Sequence, residues 1–204
     1  MGVPATKRRY TIAEYLRMEE RARDRHEFHD GEILAMSGGT YGHSRVNANF
    51  LANMHAALKG KPSHPLDSNM RVRIPGRLSY LYPDISVVCG PPQFDPDDPN
   101  KTTIINPRVV VEVLSNSTES YDRGAKFDLY GEISTLQEYV LVSQQQPLIE
   151  TFLRRPKGVW LFTPFKGIKA SVKLASLKIC LPLKDVYDGL EFDSPEAEGG
   201  RAAG

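Results

Sequence analysis

Two carboxylates in the middle of the sequence have the types and the spacing of residues that hold a catalytic metal ion. Glu112 interrupts the apolar run Val109–Leu114, and a carboxylate buried in such a run is costly unless it is paired, protonated or bound to a cation. Asp84 follows Pro83 and opens a second apolar run. If the two runs are adjacent strands, both carboxylates face one cation near the sheet edge. Ligation by oxygen alone favours Mg²⁺ or Mn²⁺.

Lys126 could complete this set. It stands on a helix predicted after Glu112, four residues from both Asp122 and Tyr130, and that helix must pack back beside its own strand. Two carboxylates would hold a metal that polarises a phosphoryl oxygen and activates water, while the ammonium group stabilises the developing negative charge. The chemistry that these residues predict is hydrolysis of a phosphodiester.

Each of the three residues also has a purely structural interpretation. Asp84 could be a carboxylate at a strand start that accepts hydrogen bonds from the backbone. Glu112 could form a buried ion pair with an arginine such as Arg71 or Arg123. Lys126 could be an exposed helix lysine whose ion pair contributes only about 0.3–0.5 kcal/mol.

The elements that must position these residues form a predicted α/β core. The run that contains Glu112 is otherwise apolar, as expected of a central strand covered on both faces. A helix over about Glu119–Glu132 follows it. The remaining core elements come from four-residue apolar spacing or from β-branched runs: a helix of about four turns over Val46–Leu58, and strands over Met70–Ile74, Tyr82–Val88 and Glu138–Val142. This order predicts an αβββαβ core.

Further elements are predicted at both ends of the core. Thr11 and Glu14 have the spacing of a capping box, which predicts a helix over Ile12 to about Arg21. Asp30-Gly31 provides the turn of an N-terminal β-hairpin. The C-terminal additions, expected to extend the core sheet, are a hairpin of Leu148–Arg154 with Val159–Phe165 and a short strand over Leu177–Leu181.

Charged residues between the first strands have no single interpretation. Arg71 and Arg73 alternate with apolar residues and could bind phosphates, or they could protect an exposed edge strand from aggregation. Asp95, Asp97 and Asp98 follow in a proline-containing segment that lacks the ligand spacing of a calcium loop. We therefore expect a solvated acidic loop there.

Composition limits the possible classes of protein. A chain of 204 residues with 40% apolar content fits one domain, which we place at residues 10–190, between a flexible N-terminus (1–9) and a disordered tail (191–204). Cys89 and Cys180 lie too far apart for zinc-ligand spacing. No run approaches the roughly 18 apolar residues of a membrane span, so we expect a cytoplasmic protein. The net charge of +1 gives no global sign of nucleic-acid binding.

The pair Pro83-Asp84 followed by Glu112-Val113-Leu114 resembles the Pro-Asp…(Asp/Glu)-x-Lys signature of restriction-endonuclease-like nucleases. Leu114 stands where that superfamily usually has lysine. Some members supply the lysine from the following helix, and Lys126 resembles this migrated lysine.

Five segments in matching order resemble one family within that superfamily, the Uma-type restriction endonucleases, over approximately Tyr10 to Leu190. They are His26–Glu32, Gly42–Ser44, Tyr82–Asp84, Val111–Ser115 and Glu138–Val142. The resemblance implies a restriction-endonuclease-like α/β fold, with a mixed central sheet flanked by helices. It also implies Mg²⁺ or Mn²⁺ as cofactor, DNA as partner and a homodimer. Glu27 resembles an additional acidic site residue, and His43 a substrate-binding residue at the site edge.

Two hypotheses for function follow. The first is a metal-dependent endonuclease that hydrolyses DNA phosphodiester bonds through Asp84, Glu112, Lys126 and Glu27, a chemistry that could also serve another phosphoester. The second is a catalytically inactive module that binds nucleic acid or a protein partner, because Leu114 replaces the usual lysine and the charge is near neutral. Sequence specificity depends on surface loops, and a single sequence does not position them.

Overall fold

The computed structural model describes residues 8–36 and 38–192. Most of the predicted flexible N-terminus and of the predicted tail lies outside these residues. Of the described ends, Arg9 donates to the carbonyl of Asp30 at 2.8 Å, and the ring of Phe192 lies edge-on to Tyr187 with centroids 5.4 Å apart. None of the described helices is long and apolar enough to cross a membrane.

The helices and strands of the described residues have the following bounds. The helices are α1 (Ile12–Glu19), α2 (Tyr41–Leu58), α3 (Glu119–Tyr121), α4 (Phe127–Gly131) and α5 (Leu183–Val186), with a π-helical turn at Asp122–Lys126 between α3 and α4 and a 3-10 turn at Pro156–Gly158. The strands are β1 (His26–His29), β2 (Glu32–Ala35), β3 (Ser63–Asp67), β4 (Arg71–Arg73), β5 (Ser79–Leu81), β6 (Ile85–Cys89), β7 (Thr103–Ile104), β8 (Val109–Leu114), β9 (Glu138–Ser143), β10 (Leu148–Arg154), β11 (Trp160–Lys166), β12 (Ser171–Leu174) and β13 (Ile179–Pro182).

A mixed six-stranded sheet, in the order β11-β10-β9-β8-β6-β3, forms the centre of the fold. Strands β8 and β9 are parallel, and the other neighbours in this sheet are antiparallel. The parallel pair needs a crossover, and the helical segment from α3 to α4 provides it. Together with α2, β3 and β6 these elements give the order αβββαβ, so the predicted fold class is confirmed.

The first strand of this core is not the predicted one. The predicted strand over Met70–Ile74 is β4, and it belongs to a second sheet of order β2-β1-β5-β4-β7. Its place in the core is taken by β3, which the sequence analysis missed. Pro65 and His64 hide the apolar alternation of this short edge strand, whose burial alternates only weakly.

The predicted strand over Tyr82–Val88 corresponds to β6, which begins three residues later than predicted, and the preceding strand β5 was not predicted. Strand β5 ends at Leu81 in the second sheet, and β6 begins at Ile85 in the central sheet. Pro83 has no N–H with which to continue a ladder, so the chain changes sheets here. Asp84 therefore lies at the junction of the two sheets.

The predicted C-terminal extension of the core sheet is correct for one hairpin and wrong for the last strand. Strands β10 and β11 pair with each other and extend the sheet from β9. Strand β13 instead pairs with β12 in a separate two-stranded sheet. Its apolar side chains pack into the core cluster on the α2 side of the central sheet. The buried carboxylate of Glu138 holds this small sheet in place by accepting from the backbone of Ala175 and Ser176, at 3.2 and 3.1 Å.

Apolar side chains cover both faces of β8, as its sequence predicts. All six of its residues are buried. One face packs against Val46, Phe50 and Met54 of α2, and the other contacts a cluster that includes Tyr130 of α4. Any polar side chain in β8 must therefore find its partners inside the protein.

The local signals at the N-terminus are also confirmed. Thr11 and Glu14 form both bonds of the capping box, although α1 ends at Glu19, two residues before the predicted end. Asp30 and Gly31 have φ angles of 45° and 89° in the turn between β1 and β2, the positive values that such a hairpin requires.

The expected solvated acidic loop is wrong for two of its three aspartates. Asp95 and Asp98 are only 2% and 4% exposed. The loop folds back on β4, where Asp98 lies 3.2 Å from the guanidinium of Arg71 and Asp95 pairs with Arg73. Arginines removed from water, such as the buried Arg71 and the half-buried Arg73, are stable only beside counter-ions. The aspartates of the loop therefore pack against β4.

Replacing Asp98 by asparagine should lower the free energy of unfolding by about 1.5–3 kcal/mol, the usual loss for a hydrogen bond to a charged group. Burial raises the pKa of Asp98, but bonds from Thr102 and Thr103 and the charge of Arg71 outweigh it and lower the pKa overall. A carboxyl with a depressed pKa in the folded state stabilises above its unfolded pKa, and this contribution is lost as the pH falls through the folded value. Urea unfolding at pH 7 and pH 3 measures both effects: the difference between wild type and Asp98→Asn should shrink at pH 3.

Candidate active site

Asp84 and Glu112 are adjacent because β6 and β8 are neighbours in the central sheet. The register pairs Ile85 with Val111, which places the residue before β6 beside the residue after Val111. The backbone N–H of Asp84 lies 3.4 Å from Oε2 of Glu112, and the N–H of Val113 donates to Oδ2 of Asp84 at 2.7 Å. The predicted meeting of the two carboxylates is what the structure shows.

Glu112 is 3% exposed, and its partner is Lys126. Nζ of Lys126 lies 3.1 Å from Oε1, and the hydroxyl of Tyr130 donates to the same oxygen at 3.1 Å. The arginines considered as partners are elsewhere: Arg71 pairs with Asp98, and Arg123 pairs with Glu119 and Glu150. Oε2 of Glu112 is therefore the oxygen turned towards Asp84.

Lys126 is 7% exposed, so it is not the exposed helix lysine of the structural interpretation. It ends the π-helical turn, and this turn directs both Lys126 and Asp122 into the protein. Single π-helical turns inside helices are frequent at functional sites. Besides Glu112, Nζ lies 3.2 Å from Glu27 and 3.4 Å from Asp122.

Negative charge exceeds positive charge around this lysine. Burial is the main reason why the pKa of Glu112 is raised well above its usual range; Lys126 lowers it, and the nearby carboxylates of Asp84, Asp122 and Glu27 raise it further. Burial also raises the pKa of Asp122. For Lys126 burial works in the opposite direction, but the surrounding carboxylates outweigh it and raise the pKa. The carboxylates of the cluster therefore outnumber its single ammonium group.

His43 lies on the first turn of α2, where it contacts Asp84. The side chain of Thr40 caps the helix by accepting from the N–H of His43 at 3.1 Å. Nε2 of His43 is 3.2 Å from Oδ2 of Asp84, and the hydrogen bond to Asp84 raises the pKa of the imidazole. The structure thus places His43 beside one of the two carboxylates.

Glu27 reaches the cluster from β1 in the second sheet. It is buried, and the hydroxyl of Tyr121 donates to its Oε2 at 3.3 Å. Burial raises the pKa of Glu27, but His29 and Lys126 lower it more strongly. Glu27 therefore acts as a charged partner of Lys126.

Arg71 and Arg73 do not join this group. They point from β4 to Asp98, Asp95 and Asp97, and neither lines the cavity described next. Their predicted role in substrate binding gains no support from this position.

Sequence reasoning missed three side chains that shape the cluster. Asp122 is buried against Lys126, Tyr130 donates to Glu112, and Tyr121 donates to Glu27. The positions of Asp122 and Tyr130, four residues on either side of Lys126, offered a signal, because residues at that spacing share a helix face. Tyr121 had no comparable signal, since its contact joins distant parts of the chain.

A cavity of about 550 Å³ opens above the cluster. Its lining includes all five residues predicted for the site outside β4: Asp84, Glu112, Lys126, Glu27 and His43. Within residues 8–36 and 38–192, no group of three or more His, Cys, Asp or Glu side chains is arranged as a ready set of metal ligands. The cavity thus offers two adjacent carboxylates rather than a closed cage.

Comparisons with known proteins agree with this fold. Two uncharacterized proteins of Synechocystis sp. are 37% and 34% identical to the chain; the alignments cover 88% of this chain in each case and 92% and 100% of those proteins. A crystal structure from Anabaena variabilis, described as a "putative nuclease belonging to DUF820", superposes with a TM-score of 0.69. It covers 86% of this chain and 96% of that one, at 17% identity, and so shows a shared fold. The family model named Uma2 and described as "Putative restriction endonuclease" matches residues 12–183. The chain therefore belongs to the Uma2 family of restriction-endonuclease-like proteins.

Proposed function

We propose that this protein is an endonuclease that hydrolyses DNA phosphodiester bonds with Mg²⁺ or Mn²⁺ bound by Asp84 and Glu112. The observation that carries the proposal is the position of these carboxylates. They lie side by side at the wall of an open cavity, with the buried ammonium group of Lys126 bonded to one of them. Membership of the Uma2 family supports the same class of reaction.

The donor atoms suit a divalent cation of this kind. Mg²⁺ is usually held by one or two carboxylates and keeps several waters, so two carboxylates facing a cavity are sufficient. Among the described residues, the four carboxylates of Glu27, Asp84, Glu112 and Asp122 have one ammonium partner, Lys126, and two imidazole partners, His43 and His29. Burial and, after it, the neighbouring negative charge raise the pKa of Glu112, and a divalent cation would offset that charge.

Each residue of the site has its own role in the proposed reaction. When bound, a divalent cation supplies polarisation of a phosphoryl oxygen and activation of water. Val113 and His43 fix Asp84 through its Oδ2, and Tyr130 fixes Glu112 through its Oε1. Lys126, kept protonated by its carboxylate partners, stabilises negative charge on the phosphoryl group as it develops.

Lys126 also bears on the alternative of an inactive module. Leu114, which stands where the superfamily usually has lysine, is buried in an apolar cluster at the end of β8. The ammonium group reaches Glu112 from the following helical turn instead. This contact answers one of the two reasons for which the inactive module was considered, the missing lysine, and supports catalysis.

Circular DNA tests the proposed function. Catalytic amounts of purified protein should nick supercoiled plasmid or linearise single-stranded circles when Mg²⁺ or Mn²⁺ is present. EDTA should abolish the cleavage, and excess Mg²⁺ should restore it, because the carboxylates alone cannot activate water. Retention of DNA without cleavage at any metal concentration would favour the binding module.

The predicted homodimer, which cutting both strands at one site would require, stays a prediction.

A further inference from the structure

The two walls of the cavity differ in chemistry. One wall is apolar and consists of Leu34, Ala35 and Met36, at the end of β2 and just after it. A second, polar wall carries hydroxyl and amide groups, from Ser115 to Thr118 and from Gln144 and Gln145. Leu34 is 41% exposed, although it lines the cavity. A ligand that matches both walls has an apolar face and hydrogen-bonding edges, as a nucleobase has.

An exposed aromatic residue, Tyr41, follows a residue that lines the same cavity. Tyr41 begins α2, directly after Thr40, which is part of the lining. At 75% it has the largest exposed fraction among the large apolar side chains of the described residues. Its face is available to a ligand.

Basic residues are scarce where a DNA backbone would run. Among the described residues that line the cavity, Lys126 provides the only lysine or arginine side chain, and it is already bonded to Glu27, Glu112 and Asp122. Affinity for duplex DNA comes largely from lysine and arginine contacts to many phosphates. Binding of single strands can rely instead on the stacking of bases on exposed rings and apolar side chains. The lining favours the second mode.

We propose that the cavity receives an unpaired nucleotide of single-stranded DNA, with its base against Tyr41 and Leu34 and its phosphodiester towards Asp84 and Glu112. The orientation of the phosphodiester rests on the proposed function; the preference for an unpaired base does not. The cavity volume of about 550 Å³ lies within the range of sites that enclose one small ligand. Gln145 and Asn116, which are bonded to each other across the polar wall, would face the edge of the base.

Binding measurements test the preference directly. Fluorescence anisotropy with full-length protein and Ca²⁺ compares a labelled 12-nucleotide single strand with a hairpin duplex of the same sequence. The single strand should bind at least about 10-fold more tightly, because stacking of one base alone accounts for roughly 5- to 150-fold. The slope of log K against log salt should correspond to only about one or two phosphates. Equal or tighter binding of the duplex would overturn the inference.

Three variants locate the base. Tyr41→Ala and Leu34→Ala should each weaken binding of the single strand by roughly 5-fold or more and leave duplex binding unchanged, while Tyr41→Phe, which keeps the ring, should bind like wild type. Leu78→Ala is the matched control, since Leu78 is about half exposed (51%) but neither lines the cavity nor adjoins a lining residue in the sequence, as Tyr41 adjoins Thr40. If Tyr41→Ala and Leu34→Ala bind single strands as wild type does, the base does not lie there.

The two proposals can fail separately. A protein that binds single strands through Tyr41 but cleaves no DNA with any metal would contradict the proposed function and keep this inference. A protein that cleaves duplex plasmid but shows no preference for single strands would do the opposite. Absence of binding to either DNA would overturn the inference.

Discussion

Glu112→Gln and Asp84→Asn proteins should each cleave DNA about 10²–10⁴-fold more slowly than wild type, since a metal ion contributes several kcal/mol of charge stabilisation that depends on its ligands. Both substitutions keep the size of the side chain and remove the charge that holds the cation. Initial rates of nicking at saturating Mg²⁺ measure the loss. Glu119→Gln is the matched control, because Glu119 lies on α3 close by in sequence but pairs at the surface with Arg123. Undiminished cleavage by either site variant would show that the site is assigned wrongly.

Loss of activity in Glu112→Gln should come without loss of stability. Burial and neighbouring carboxylates raise the pKa of Glu112 in the folded protein. A group with a raised folded pKa stabilises the protein fully below its unfolded pKa, and this stability is lost as the pH rises through the folded pKa. Ionisation of Glu112 therefore costs stability in the protein without metal, and glutamine at this position has no charge to bury. The variant should unfold at the wild-type temperature or above it, and a clear decrease would mean that Glu112 has a mainly structural role.

Replacing Lys126 by methionine should lower the free energy of unfolding by about 3–5 kcal/mol, the usual result of removing one partner from a buried ion pair. Methionine fills much of the same space, so the loss is mainly electrostatic: Glu27, Glu112 and Asp122 are left without their shared cation. Urea unfolding followed by fluorescence measures the change. The variant should also lose cleavage, because the ammonium group near the phosphoryl oxygens is gone.

The pH dependence of stability and a second variant distinguish the electrostatic explanation for Lys126→Met from a loss of packing. The raised pKa of Lys126 means that its contribution is fully present below the ordinary lysine value and disappears only as the pH rises through the still higher folded value. Across pH 5–8 the lysine itself therefore contributes a constant amount. Adding Asp122→Asn to Lys126→Met should recover part of the lost stability, since one of the unpaired carboxylates is removed. If Lys126→Met stays within about 0.5 kcal/mol of wild type, the usual scatter of neutral surface substitutions, the lysine does not hold the cluster together.

How much of the site the sequence predicts depends on the kind of signal that each residue carries. A charge inside an apolar strand is costly, so Glu112 was identifiable from its own neighbours. Asp84 followed from the run after Pro83, and Lys126 from the helix that must return beside β8. Glu27 and His43 came only from resemblance to the family. Their contacts with Lys126 and Asp84 join segments that are far apart in the sequence, and neither local propensity nor periodicity reports such contacts.

The fold shows the same division. Elements with strong local patterns, such as β8 and the hairpin of β10 and β11, were predicted near their actual bounds, and α2 was predicted with its correct end but begins at Tyr41, five residues before Val46. Strand β3 was missed because its pattern is short and contains Pro65. Strands β4 and β13 were recognised as strands but assigned to the wrong sheet, since alternation in sequence specifies that a strand has a buried face and not which strand it pairs with. The burial of Asp95 and Asp98 was missed because it depends on arginines of another element.

The most direct test of a metal-dependent site at Asp84 and Glu112 is a crystal structure of the protein soaked with Mn²⁺. The account predicts an anomalous-scattering peak about 2.1 Å from a carboxylate oxygen of each residue, with Nζ of Lys126 facing the same space. A fully soaked crystal with no manganese between Asp84 and Glu112, and with Lys126 still bridging Glu112 and Glu27, would contradict it.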